Sequence, residues 1–107
     1  MSQKDEKLAE IIRELAAQYF SRESNRTSLI TVTGVDLVAR NSRAIILITV
    51  LPEDQEAAAI DFAHRQLTAF REFVQENSRI GRIPFFEVRI DSGEKNRQRM
   101  DEIGRKL

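Results

Sequence analysis

The sequence predicts an α+β domain in which helices pack on one side of a three-stranded sheet. Three observations carry this. Apolar residues recur at helical spacing in two separate stretches, Leu8 to Phe20 and Ile60 to Val74. Between them lie two β-branched runs joined by the turn signal Asn41-Ser42. After the second helical stretch, Pro84 opens another strand-like run, Phe85 to Ile90.

The first helix is expected from about Ser2 to Phe20. Ser2 followed by Asp5 resembles a capping box, and Leu8, Ile11, Ile12, Leu15, Tyr19 and Phe20 form one apolar face. Ser21 to Thr27 is polar, without periodicity, and reads as a connector. Leu29 to Ala39 reads as a strand interrupted by Gly34. The apolar parity switches there, from Ile30 and Val32 to Val35 and Leu37, as one bulge residue would produce. Arg43 to Leu51 is apolar on both parities, so this strand is expected at the centre of the sheet, paired with the first as an antiparallel hairpin. Pro52 ends it. A single amphipathic helix then runs from Asp54 to about Glu76, with Ile60, Ala63, Leu67, Phe70 and Val74 as its buried stripe. It is expected to stop near Asn77-Ser78. The third strand follows, then the helix-start signal Asp91-Ser92-Gly93-Glu94 and a closing helix bearing Met100, Ile103 and Leu107. The order is α-β-β-α-β-α, and the 107 residues are expected to form one domain, 1–107.

Composition narrows function by exclusion. The chain has no cysteine, so disulfides and thiolate metal sites are ruled out, which suits a reducing cytosol. No apolar run approaches the roughly 18 residues of a membrane span, and the N-terminus lacks a signal-peptide pattern. His64 is the only histidine, no serine sits in a nucleophile elbow, and Gly81 and Gly93 are isolated rather than part of a phosphate-cradling loop. The carboxylates cluster at helix starts and on helix faces, where capping and solvation account for them. Neither catalysis nor a metal or cofactor is expected.

Formal net charge is zero, with 17 basic and 17 acidic side chains. Its distribution is uneven. Leu51 to Asp61 carries Glu53, Asp54, Glu56 and Asp61 and no basic residue, whereas Arg22, Arg26, Arg40 and Arg43 precede it and a basic stretch from Arg65 to Arg89 follows. Arg71 flanks the buried stripe of its helix, and Arg79 and Arg82 lie in the connection to the third strand. Arginine forks phosphate oxygens and stacks on bases. The candidate RNA-contact residues are therefore Arg71, Arg79 and Arg82, with Arg40, Arg43 and His64 beside them. Simple solvation of these side chains is the competing reading. Phe62, Phe70, Phe73, Phe85 and Phe86 could stack on bases, but core packing explains most of them better.

In this order and spacing the elements resemble the ribosome-binding factor A family. Ile30-Thr31-Val32-Thr33-Gly34-Val35 is similar to the family's "VTVTxV", Ala44 to Leu51 to its "AKVYVSVL", and Ile83-Pro84-Phe85-Phe86-Glu87-Val88 to its "VPELxF". Asp91 with Arg99-Met100-Asp101-Glu102-Ile103 resembles its ending. The resemblance implies a type II KH-like fold. It further implies a non-catalytic, monomeric, cytoplasmic factor that binds the small ribosomal subunit and 16S rRNA and supports late maturation and 5′-end processing. The chain departs from the family where the A-x-G kink should interrupt the long helix, since Phe70-Arg71-Glu72 stands before Phe73-Val74-Gln75. With those residues helical, the interruption is expected nearer Asn77-Ser78, and the contact surface shifts toward Arg71, Arg79 and Arg82. The same coarse elements also fit a ferredoxin-like interaction or regulatory module that binds no RNA.

Overall fold

A computed structural model describes residues 3–23 and 28–94. The elements are α1 (Gln3–Glu23), β1 (Leu29–Val38), β2 (Arg43–Leu51), α2 (Glu56–Arg65), α3 (Leu67–Asn77) and β3 (Phe85–Ile90), with one 3-10 turn at Glu53–Gln55. The expected capping residue Ser2 and the closing helix with Met100, Ile103 and Leu107 lie outside the described residues. Of the helix-start signal Asp91-Ser92-Gly93-Glu94, all four residues are described. The Asp91 carboxylate accepts the Glu94 backbone N–H at 3.0 Å and so caps a helical turn over residues 92–94.

The sheet has the order β1-β2-β3. β1 runs antiparallel to β2, and the register slips between Val32 and Gly34, which leaves Thr33 as the extra residue of a bulge. Before the slip Ile30 and Val32 face the helices; after it Val35 and Leu37 do, opposite Ile46 and Ala44. The bulge thus keeps both halves of an out-of-phase apolar pattern on one face. β3 runs parallel to β2, with Arg43 opposite Phe85 and Ile48 opposite Ile90. A parallel neighbour needs a long crossover, and α2 and α3 supply it.

The central strand is buried on both parities, as its composition predicts. Ala44, Ile46, Ile48 and Val50 lie under the helices, while Ile45 (9% exposed) and Thr49 (6%) are covered on the opposite face. The helix side of the core is aromatic at its centre. Phe70 is fully buried and meets Tyr19, Phe20 and Phe86 with ring centroids 5.5, 5.4 and 4.9 Å apart. These tilted contacts suit the ring quadrupoles.

Two expectations need correction. The first helix does not stop at Phe20 but continues through Ser21 and Arg22 to Glu23. The extra turn sets the Arg22 guanidinium 5.5 Å from the centre of the Phe73 ring, so part of the supposed connector joins the helix packing. The long helix of the crossover is not continuous either. It is interrupted at Gln66, where ψ opens to −4° and the backbone N–H is shared by the Phe62 and Ala63 carbonyls, both at 3.1 Å. Phe70-Arg71-Glu72 remains helical as expected, but the interruption falls upstream of it and not toward Asn77-Ser78, where α3 simply ends. The physical reason lies in what each half covers. Ala59 and Ala63 of α2 pack near the sheet with small side chains, whereas Phe70 and Val74 of α3 need room beside α1. Tyr19 of α1 holds the joint by donating its hydroxyl to Gln66 Oε1 at 2.8 Å.

Candidate nucleic-acid interface

Because β3 is parallel to β2, the connection that enters β3 arrives at the same end of the sheet as the β1–β2 turn. The Phe85 N–H donates to the Ser42 carbonyl at 2.9 Å and fixes that meeting. The turn itself is unusual. Ala39, Arg40 and Asn41 all adopt positive φ (54, 55 and 66°), the left-handed region that a Cβ disfavours. Three contacts hold it. The Ser42 N–H and Oγ both donate to the Ala39 carbonyl, at 3.1 and 2.7 Å, and the Asn41 side-chain amide donates to Asp5 near the start of α1.

This end of the sheet gathers most of the arginines singled out from sequence. Arg40 and Arg82 line one cavity of about 420 Å³ together with Leu8, Ala39, Asn41 and Ser42. Both arginines are exposed, and neither makes an ion pair among the described residues. Arg79 is exposed on the same connection. Arg43 begins β2 and pairs with Glu87, which also accepts from Arg89 at 2.9 Å. Arg71 reaches across from α3 and donates to two backbone carbonyls, Pro84 at 2.9 Å and Ile83 at 3.1 Å. Its guanidinium carbon then lies 5.9 Å from the centre of the Phe85 ring. Arg71 and Phe85 line a second cavity, about 340 Å³, with Leu67, Thr68 and Phe86. Arg71 is thus both a clamp on the loop into β3 and part of a concave surface.

His64 does not join this group. It is exposed on α2, with Nε2 3.4 Å from the Val88 carbonyl, and Val88 stands opposite Ile46, further along the sheet. Phe85 is one of the five phenylalanines that could stack on bases, but residue type alone does not separate it from those that pack in the core. Phe85 is 74% exposed, whereas Phe86 packs inward on Phe70. The signal was parity. Phe86, Val88 and Ile90 form the apolar alternation of β3 toward the core, which turns Phe85, Glu87 and Arg89 to the other face.

Among the described residues no cluster of His, Asp or Glu is arranged to hold a metal ion. No described helix is long and apolar enough to cross a membrane.

No protein-family model and no curated protein matches the sequence. Solved structures do match in three dimensions. The crystal structure of ribosome-binding factor A from Thermus thermophilus superposes with a TM-score of 0.68 at 19% identity, covering 78% of this chain and 91% of that one. The solution structure of a putative ribosome binding factor A from Thermotoga maritima gives a TM-score of 0.57 at 20% identity, covering 82% and 83%. The three-stranded sheet with helices packed on one side that the sequence predicts is present, the sheet is mixed, and the fold of this chain is that of ribosome-binding factor A.

Proposed function

We propose that this protein is a non-catalytic, ribosome-associated factor that binds the small ribosomal subunit through 16S rRNA. One observation carries the reading. The fold it shares with ribosome-binding factor A brings the β1–β2 turn and the loop into β3 together, so that Arg40 and Arg82 line one cavity, with Arg43 directly after the turn, Arg79 on the same connection as Arg82 and Arg71 bonded to the end of that connection. Phosphate contacts by such arginines supply sequence-independent affinity, and the shape of the concave end selects among RNA conformations. In this reading the protein acts as a monomer in the cytoplasm. It holds an rRNA conformation during late maturation, supports processing of the 5′ end of the precursor, and leaves when assembly advances.

Gradient sedimentation of the protein with assembling small subunits, at low and high salt, tests the reading. Co-migration with subunits that is released by salt is the expected result. Failure to migrate with subunits at any stage of assembly overturns it, and a stable dimer with no RNA affinity at low salt would favour a protein-interaction module instead.

A further inference from the structure

We propose that Phe85 and Arg71 form a stacking site for one unpaired nucleobase, so that the RNA held at the basic end is single-stranded there. The inference rests on the RNA-binding reading above and adds the form of the ligand.

Phe85 is the first residue of β3 and has 74% of its surface exposed, although every other phenylalanine among the described residues is buried or half-buried. A single exposed apolar side chain needs no explanation by itself. The surroundings of this one do. The Arg71 guanidinium lies over the ring and donates to the Ile83 and Pro84 carbonyls, so contacts within the protein fix its position beside the aromatic face. Both side chains line a cavity of about 340 Å³, at the small end of the roughly 300–1,000 Å³ range of small-molecule sites. Leu67, Thr68 and Phe86 complete the lining of the cavity.

Charge favours a nucleotide over an apolar peptide. Arg43 stands in register with Phe85 on the neighbouring strand. The nearest acid on that face, Glu87, is ion-paired with both Arg43 and Arg89 and so offers little repulsion to a phosphate. A duplex cannot use such a site, because its bases are already stacked. An unpaired base can.

The test is a titration with a short single-stranded oligoribonucleotide carrying a fluorescent purine analogue whose emission is quenched by stacking. The same strand annealed to its complement is the comparison. The unmodified protein should bind the single strand more tightly and quench the analogue. Phe85→Ala should weaken that binding by roughly five- to a hundredfold and abolish the quench, while Phe85→Trp should retain both. The salt dependence of the Phe85→Ala variant should keep its slope, since stacking releases no counterions. Binding and quench unchanged in Phe85→Ala would overturn the inference and leave the RNA-binding reading intact. If Phe85→Ala lost only subunit binding, with oligonucleotide affinity unchanged, the ring would face a ribosomal protein, which also overturns it. No binding of RNA in any form, combined with no co-migration with subunits, would overturn both readings.

Discussion

Arg71 shows how one side chain can serve the fold and the surface at once. Its place on the flank of the α3 stripe is legible in the sequence. Its partners are not, because they depend on where the connection from Asn77 to Phe85 runs. Two carbonyls that enter β3 rely on its guanidinium. Hydrogen bonds to a charged group contribute more than neutral ones, and removing the donor leaves carbonyls of the buried residues Ile83 and Pro84 without it. Arg71→Ala should therefore destabilise the protein by about 2 kcal/mol in urea unfolding, and Arg71→Lys should recover only part of that because an ammonium cannot fork two carbonyls in one plane. The turn makes the opposite case. Asn41-Ser42 is a readable turn signal, but nothing about Ala39 or Arg40 announces a left-handed backbone, since neither residue favours it. Ala39 is exposed. Ala39→Gly should relieve the Cβ crowding at φ 54° and raise stability by about 0.5–1 kcal/mol, seen as a higher midpoint in the same unfolding assay. A lowered midpoint would mean that the left-handed turn is not strained.

At the scale of elements, periodicity decided what was legible. The parity switch in Leu29 to Val38 identified the bulge, because a period of two leaves no other way to keep Ile30, Val32, Val35 and Leu37 on one face. The residue blamed was only partly right. Gly34 sits at the slip, yet its φ is ordinary and an added Cβ would meet only Leu47 Cδ1, at 3.9 Å. Thr33 is the inserted residue, and its hydroxyl donates to Asp91 at 2.6 Å, tying the bulge to the end of β3. Gly34→Ala should thus lie within about 0.5 kcal/mol of the parent, with any gain coming from a less flexible unfolded chain. A loss above about 1.5 kcal/mol would show that the backbone there needs glycine after all. The break at Gln66 escaped the sequence for the converse reason. Ile60, Ala63, Leu67, Phe70 and Val74 keep helical spacing straight through it, and a residue whose ψ moves to −4° leaves that spacing intact. Only the partner, Tyr19 forty-seven positions earlier in the chain, marks the joint.

Charge at the scale of the whole molecule turns on the sense of β3, which periodicity leaves open. With β3 parallel to β2, the arginines of the turn and of the 78–84 connection meet at one end of the sheet, and Glu53, Asp54 and Glu56 follow Leu51 at the other. Nine strand residues separate those ends, about 26 Å at the usual rise. That is some three times the Debye length of about 8 Å at physiological ionic strength. A net charge of zero therefore does not neutralise the basic end. Asp5 is an acid close to that end, and it is engaged with Asn41. The consequence is testable by salt titration of RNA or subunit affinity. Arg79→Glu combined with Arg82→Glu should weaken binding at every salt concentration and lower the slope of log affinity against log salt by about 0.7 for each lost phosphate contact. Both residues are exposed, so the unfolding midpoint should stay within about 0.5 kcal/mol of the parent. Glu53→Gln combined with Asp54→Asn, at the far end, should leave affinity unchanged at physiological salt and strengthen it only near 0.01 M, where the screening length grows to about 30 Å and spans the sheet. Equal effects from the two double variants would mean that net charge governs binding, and the basic end would then be solvated surface.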